Sequence, residues 1–274
     1  MDRSQGGVEQ RTGAPAAGAE TISLMTSDGV RLHALHAAAG PGAAGDLAIV
    51  FGHGFTGSTR KPAVRRVISA LRGHGAVVAV DFRGHGRSGG LSTLGGTEIL
   101  DIEAAVRWAR AAGYLRVATV GASMGGSIVV RHAALYGGID AVVCVSAPSR
   151  WYVRDTVPMR RVHWLVEQRL GRLVSRALLR IRLARRWDEV PESPMEVVGR
   201  IAPTPLLIVH GDHDAYFTAE HPAALADAAG EPAELWMIEG FGHAEAAMSV
   251  ELADRIGRWV ATNAAAGASG TIAP

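Results

Sequence analysis

The sequence predicts an α/β protein: a mostly parallel, doubly wound sheet of about eight strands with a short helical insertion. Two observations carry that expectation. Short, continuous, β-rich apolar runs alternate with longer stretches of helical periodicity, the pattern of strands buried on both faces and linked by crossover helices. The alternation is interrupted once, over residues 149–200, where no strand pattern is found.

In chain order, Thr21–Thr26 and Val30–Ala37 flank Ser27-Asp28-Gly29, a turn signal that predicts a leading antiparallel hairpin. Buried-type strands are then expected at Leu47–Gly52, Ala76–Phe82, Arg116–Gly121, Ala141–Ser146, Pro205–Gly211 and Glu234–Ile238. Helices fill the gaps at Pro62–Gly73, Glu98–Ala112, Ser123–Tyr136, Ala219–Ala229 and Ala246–Asn263. The ends, 1–19 and 264–274, are Gly/Ala/Ser-rich without period and read as tails around a single domain at 20–263.

Composition narrows the function. The 274 residues are 48% hydrophobic, enough for a sizeable core, and 20% charged, too few for a disordered acidic chain. Net charge is +2, which argues against nucleic-acid binding even though the isoelectric point is about 9.0. The single cysteine, Cys144, precludes a disulfide framework and a cysteine-based zinc site, and it reads as a small buried hydrophobe. No apolar run reaches the ~20 residues of a membrane span, and the N-terminus carries no leader pattern, so a cytoplasmic location is expected.

The strongest chemical signal is Gly121-Ala122-Ser123-Met124-Gly125-Gly126, between a predicted strand and a predicted helix. A serine on so tight a turn is exposed at the strand end, and the following helix aims free N–H groups at charge developing beside it. A nucleophilic serine needs a base, and the base an orienting carboxylate. Two later strands end in suitable residues: His210-Gly211-Asp212-His213-Asp214 and Gly240-Phe241-Gly242-His243. Such strand ends converge on the crevice of an open α/β sheet. Ser123, Asp214 and His243 are therefore the candidate catalytic residues. Asp212 stands as the alternative acid, and a His210/His213 metal pair as a competing reading.

With these residues in place, the chain resembles the α/β-hydrolase superfamily over nearly all of 21–263. The likeness extends to His53-Gly54-Phe55, to Asp81-Phe82-Arg83-Gly84-His85-Gly86-Arg87-Ser88 and to Gly211-x-x-Asp214. Among its members the chain looks most like bacterial esterases and lysophospholipases with a small cap. The resemblance favours Asp214 over Asp212 and implies that the backbone N–H groups of Phe55 and Met124 form an oxyanion hole. His53 and His85 are expected to brace the surrounding loops. Serine rather than aspartate at position 123 disfavours dehalogenase and epoxide hydrolase chemistry.

The expected activity is hydrolysis of a small-molecule carboxylic ester through an acyl-enzyme, with no cofactor and no metal. Thioester, carbon–carbon bond and anionic-lipid substrates are the alternatives on the same triad, and a non-catalytic binding protein is the alternative outside it. Residues 149–200 hold twelve arginines and six acids. Arg169, Arg172, Arg176 and Arg180 recur at helical spacing beside an apolar row of Val162, Val166, Leu170, Leu173, Val174, Ala177 and Ile181. The segment reads as a cap, and its arginine stripe either faces solvent or meets a membrane or anionic substrate.

Overall fold

The computed structural model describes residues 18–185 and 187–268. The strands are β1 (Ala19–Met25), β2 (Arg31–Ala37), β3 (Leu47–Gly52), β4 (Ala76–Val80), β5 (Arg116–Ala122), β6 (Ala141–Val145), β7 (Leu206–Gly211) and β8 (Ala233–Ile238). They form one sheet in the order β1-β2-β4-β3-β5-β6-β7-β8. Only β2 runs against its neighbours; from β4 to β8 every pairing is parallel. The eight-stranded, mostly parallel sheet led by an antiparallel hairpin is the expected one.

The apolar runs explain the layers. In β3, β4 and β6 every residue is buried, because helices cover both faces. Helices α2 (Ile99–Ala111) and α3 (Met124–Tyr136) pack one face, around Ile102, Ile128 and Val129. Helix α1 (Pro62–Leu71) and the C-terminal helix pack the other, around Leu71, Ile256 and Val260. Pro62 opens α1, where its missing N–H is no loss.

Three expectations need correction. Strand β8 was expected to be buried on both faces, but it is the sheet edge and leaves Leu235 and Met237 exposed. A periodicity argument cannot tell a central strand from an edge. The helix expected at Ala246–Asn263 is two, separated at Met248–Ser249, with the second continuing to Ala268 and burying Ala264 in a stretch read as tail. Residues 1–17 and 269–274 of the expected tails lie outside the described residues.

The third concerns the insertion, which leaves the sheet after β6. Its elements are α4 (Val157–Glu167), α5 (Arg169–Val174), a π-helical turn (Ser175–Leu179) and α6 (Pro194–Val197), closed by a 3-10 turn at Val198–Arg200. Gln168 is extended and splits α4 from α5, so the arginine stripe is not one helical face. Arg172 turns inward and donates to Leu183 O at 3.0 Å, while Arg169, Arg176 and Arg180 are exposed. The apolar row divides likewise: Val162 and Val166 line a cavity, whereas Leu170 and Leu173 face solvent. The segment also contains a short extended piece. Leu183 bridges Ser92 in parallel, supported by Ser92 N–H to Arg182 O and Ala184 N–H to Ser92 O, both at 2.8 Å.

Candidate active site

Ser123 stands between the end of β5 and the start of α3 with φ +52° and ψ −116°, a conformation L-residues rarely adopt. The residues two positions to either side, Gly121 and Gly125, are glycines for steric reasons. A Cβ on Gly121 would lie 2.2 Å from Gly125 O, and one on Gly125 would lie 2.2 Å from Gly52 O. Ser123 N–H donates to Val145 O of the adjacent strand at 2.8 Å, tying the strained residue to the sheet.

His243 follows β8 and reaches back across the sheet. Its Nε2 lies 2.9 Å from Ser123 Oγ, and its Nδ1 lies 2.8 Å from Asp214 Oδ2. Asp214 follows β7, and its carboxylate is fully buried. Its other oxygen, Oδ1, accepts the N–H groups of Tyr216 at 2.8 Å and Phe217 at 3.1 Å. Burial by itself would raise this carboxyl's pKa. The contact with His243 and the two backbone donors outweigh it, and the group is held below the ordinary carboxylate value. Asp214 is thus a charged acceptor for His243 Nδ1–H, which fixes the imidazole tautomer that leaves Nε2 free to accept from serine. The ring is further fixed by stacking on Tyr216 at 4.2 Å.

The alternatives raised by the sequence separate in space. Asp212 points away, accepting Gly240 N–H at 2.7 Å in an exposed turn. His210 is buried and donates through Nε2 to Phe217 O at 3.0 Å, while His213 is exposed. Among the described residues no three His, Cys, Asp or Glu side chains converge as a metal site.

Phe55 and Met124 flank Ser123 at the mouth of a cavity of about 420 Å³. Among the described residues neither backbone N–H is taken by an acceptor of the chain. The Phe55 loop is braced from behind. His53 Nδ1–H donates to Gly54 O at 2.7 Å, and its Nε2 accepts Phe82 N–H at 3.2 Å. His85 Nε2–H donates to Phe55 O at 2.8 Å. Full burial, with a smaller push from His85, lowers the His53 pKa to about 4, so it stays neutral and able to make both bonds.

One residue at this site was not found from sequence. Glu245 is buried, and its Oε1 accepts Gly54 N–H at 3.0 Å. Gly54 leaves the room: a Cβ there would lie 3.1 Å from Glu245 Oε2 and 3.4 Å from Ser123 Cβ. No motif marks a glutamate two residues after the histidine, although a carboxylate beside an apolar run is an anomaly worth following.

The cavity is roofed by the insertion. Met159, Val162 and Val166 of α4 close it from above, with Trp151 and Trp187 packed edge to face at 5.3 Å. Leu94 enters it with φ +60°, from a loop wrapped on buried Glu98, which accepts the N–H groups of Thr93, Leu94 and Gly95.

A sequence profile for the alpha/beta hydrolase fold matches residues 48–172, and the strand order and crevice agree with it. This is an α/β-hydrolase-fold protein. Solved structures bear out the fold. The Pyrococcus furiosus esterase Pf2001 superposes with a TM-score of 0.69 at 24% identity, over 88% of this chain and 90% of that one. The α/β hydrolase GrgF from Penicillium sp. sh18 gives 0.70 at 19% identity, over 90% and 99%. Est1E from Butyrivibrio proteoclasticus, solved with ferulic acid bound, gives 0.61 at 22%, over 89% and 99%. No curated protein matches the chain in sequence. In this α/β-hydrolase fold the insertion between β6 and β7 is a cap, and Ser123, Asp214 and His243 sit at strand ends beneath it.

Proposed function

We propose that the chain is a serine hydrolase of carboxylic esters, with Ser123 as nucleophile, His243 as general base and acid, and Asp214 as its orienting carboxylate. The observation that carries this reading is the continuous relay Asp214–His243–Ser123, at 2.8 and 2.9 Å, opening onto a cavity beneath the insertion. His243 Nε2 takes the hydroxyl proton as Oγ attacks the acyl carbonyl. The oxyanion is received by the N–H groups of Phe55 and Met124, a contribution typically of ~3 kcal/mol per donor in such sites. His243 then protonates the departing alcohol and activates water against the acyl-enzyme. These steps use the three side chains, the two backbone N–H groups and one water molecule.

Substrate class follows from the walls. The cavity lining is largely apolar and aromatic, with Phe55, Leu94, Trp151, Trp187 and Phe217 contributing, which suits an apolar acyl group. The esterase names among the structures of the same fold favour an oxygen ester over a thioester or a carbon–carbon bond. Turnover of a p-nitrophenyl ester series, beside S123A, tests the reading. The expected result is hydrolysis with a defined chain-length optimum, falling in S123A by on the order of 10⁴-fold or more. Equal turnover by folded S123A removes the proposal.

A further inference from the structure

The cap is two-sided. On α4, Met159, Val162, His163 and Val166 face the cavity, while Arg160, Arg161 and Trp164 face solvent. The outward side continues along α5 and the π-helical turn, where apolar and cationic residues interleave. Leu170, Leu173 and Leu178 are 62%, 63% and 76% exposed, and Trp164 is 45% exposed. Arg169, Arg176 and Arg180 lie among them, all exposed.

Charge on this stretch is one-signed. From Thr156 to Trp187 the chain has nine arginines and one acid, Glu167. That acid is not available to the outer face: it is half-buried and held by Arg154 at 2.6 Å and His163 at 2.7 Å. The insertion as a whole carries six excess positive charges in a chain of net +2, so the rest of the molecule is net negative. The cap is therefore the cationic pole of the molecule.

We propose that the outer face of α5 and the π-helical turn docks on an anionic lipid surface, arginines toward headgroups and Leu170, Leu173 and Leu178 into the acyl boundary. Interleaved cations and aliphatics are what such an interface rewards: electrostatic approach followed by burial of apolar side chains that the free molecule leaves in water. A second copy of the chain suits the face less well, since a twofold contact would set each arginine cluster against its equivalent. Docking through the outer face would leave the cap between the lipid surface and the cavity, with Met159, Val162 and Val166 still turned inward. The inference does not depend on the hydrolytic reading, because binding is measured without turnover.

The test is flotation of the full chain with phosphatidylcholine vesicles, with and without phosphatidylglycerol. Binding is expected only with phosphatidylglycerol and should weaken as salt is raised. R169Q/R176Q and, separately, L170S/L173S should each lower the partition coefficient about tenfold, while the thermal melt and turnover of a soluble short-chain ester stay unchanged. None of these four residues lines the cavity. Absence of flotation overturns the proposal, as does equal binding to neutral vesicles. Self-association that L170S/L173S abolishes, without flotation, also overturns it and assigns the face to a second copy.

Discussion

Glu245 and Gly54 are 191 residues apart in sequence, yet the Glu245 carboxylate accepts the Gly54 N–H at 3.0 Å inside the protein. The bond couples the turn that carries His243 to the loop that carries Phe55. The His243 turn is anchored on two further sides. Ala244 N–H donates to Ser146 Oγ at 3.0 Å, and the Arg66 guanidinium caps Ala246 O at 3.2 Å and Met248 O at 3.1 Å. Burial raises the Glu245 pKa, opposed by its backbone donors and by His243.

Removing this carboxylate should disturb geometry more than affinity. E245A leaves a buried N–H without an acceptor, at a cost of about 1–3 kcal/mol, and frees the Phe55 loop. We expect kcat to fall about tenfold with KM nearly unchanged, because an oxyanion donor acts chiefly in the transition state. E245Q keeps a carbonyl acceptor and should recover most of the loss. Equal defects in E245A and E245Q would remove the positioning role.

The two aspartates after β7 make opposite predictions. D214N should lower kcat by roughly 10⁴-fold, since the amide stabilises the wrong imidazole tautomer. D212N should change kcat less than about twofold, because its carboxylate meets only an exposed backbone N–H. Comparable losses in the two variants would reverse the assignment.

Acid should destabilise the fold before the carboxylates titrate. His53 and His221 have pKa values lowered from 6.5 to about 4, by burial first and then by neighbouring positive charge. Between those values the unfolded chain binds protons that the folded chain does not, so stability falls as pH drops from 6.5 to 4. Asp81, beside the same loop, adds to the acid loss at lower pH. Its pKa is lowered to about 2 against the cost of burial, through His33, His53 and two backbone donors, so its contribution is intact above 3.8 and is lost as pH falls toward 2. Denaturant midpoints at pH 6.5 and 4 should show a decline that H53Q makes shallower. A flat profile over this range would contradict the buried neutral state of His53.

Trp151 lines the cavity and is held by an Nε1–H bond to Pro191 O at 2.7 Å. W151A should move the acyl optimum of the p-nitrophenyl series toward longer chains and lower stability by about 2 kcal/mol, since the ring is only half-buried. An unchanged optimum would place the acyl group elsewhere in the cavity.

Local pattern was enough for the sheet and for the tight serine turn between β5 and α3. Continuous apolar runs specify buried parallel strands because helices must cover both faces. Gly121 and Gly125 are legible because a strained serine turn packed against backbone tolerates no side chain there. Edge position, by contrast, is a property of the assembled sheet, which is why the exposure of β8 was missed.

Three candidate residues on separate strand ends could be named from sequence, but their contact is tertiary. Which aspartate meets His243 depends on the backbone donors of Tyr216 and Phe217 that hold Asp214 and on where His243 arrives. Glu245 had no local mark, since its partner N–H belongs to a loop nearly two hundred residues earlier. The cap shows the same limit. Arginine and leucine spacing announced an amphipathic helix, but the extended Gln168 re-registers everything after it. Sequence thus determined most of the elements and which candidate residues they carry. Only the packing of those elements decided which side chains meet and which face of the cap looks outward, because both depend on contacts between residues with no local spacing to report them.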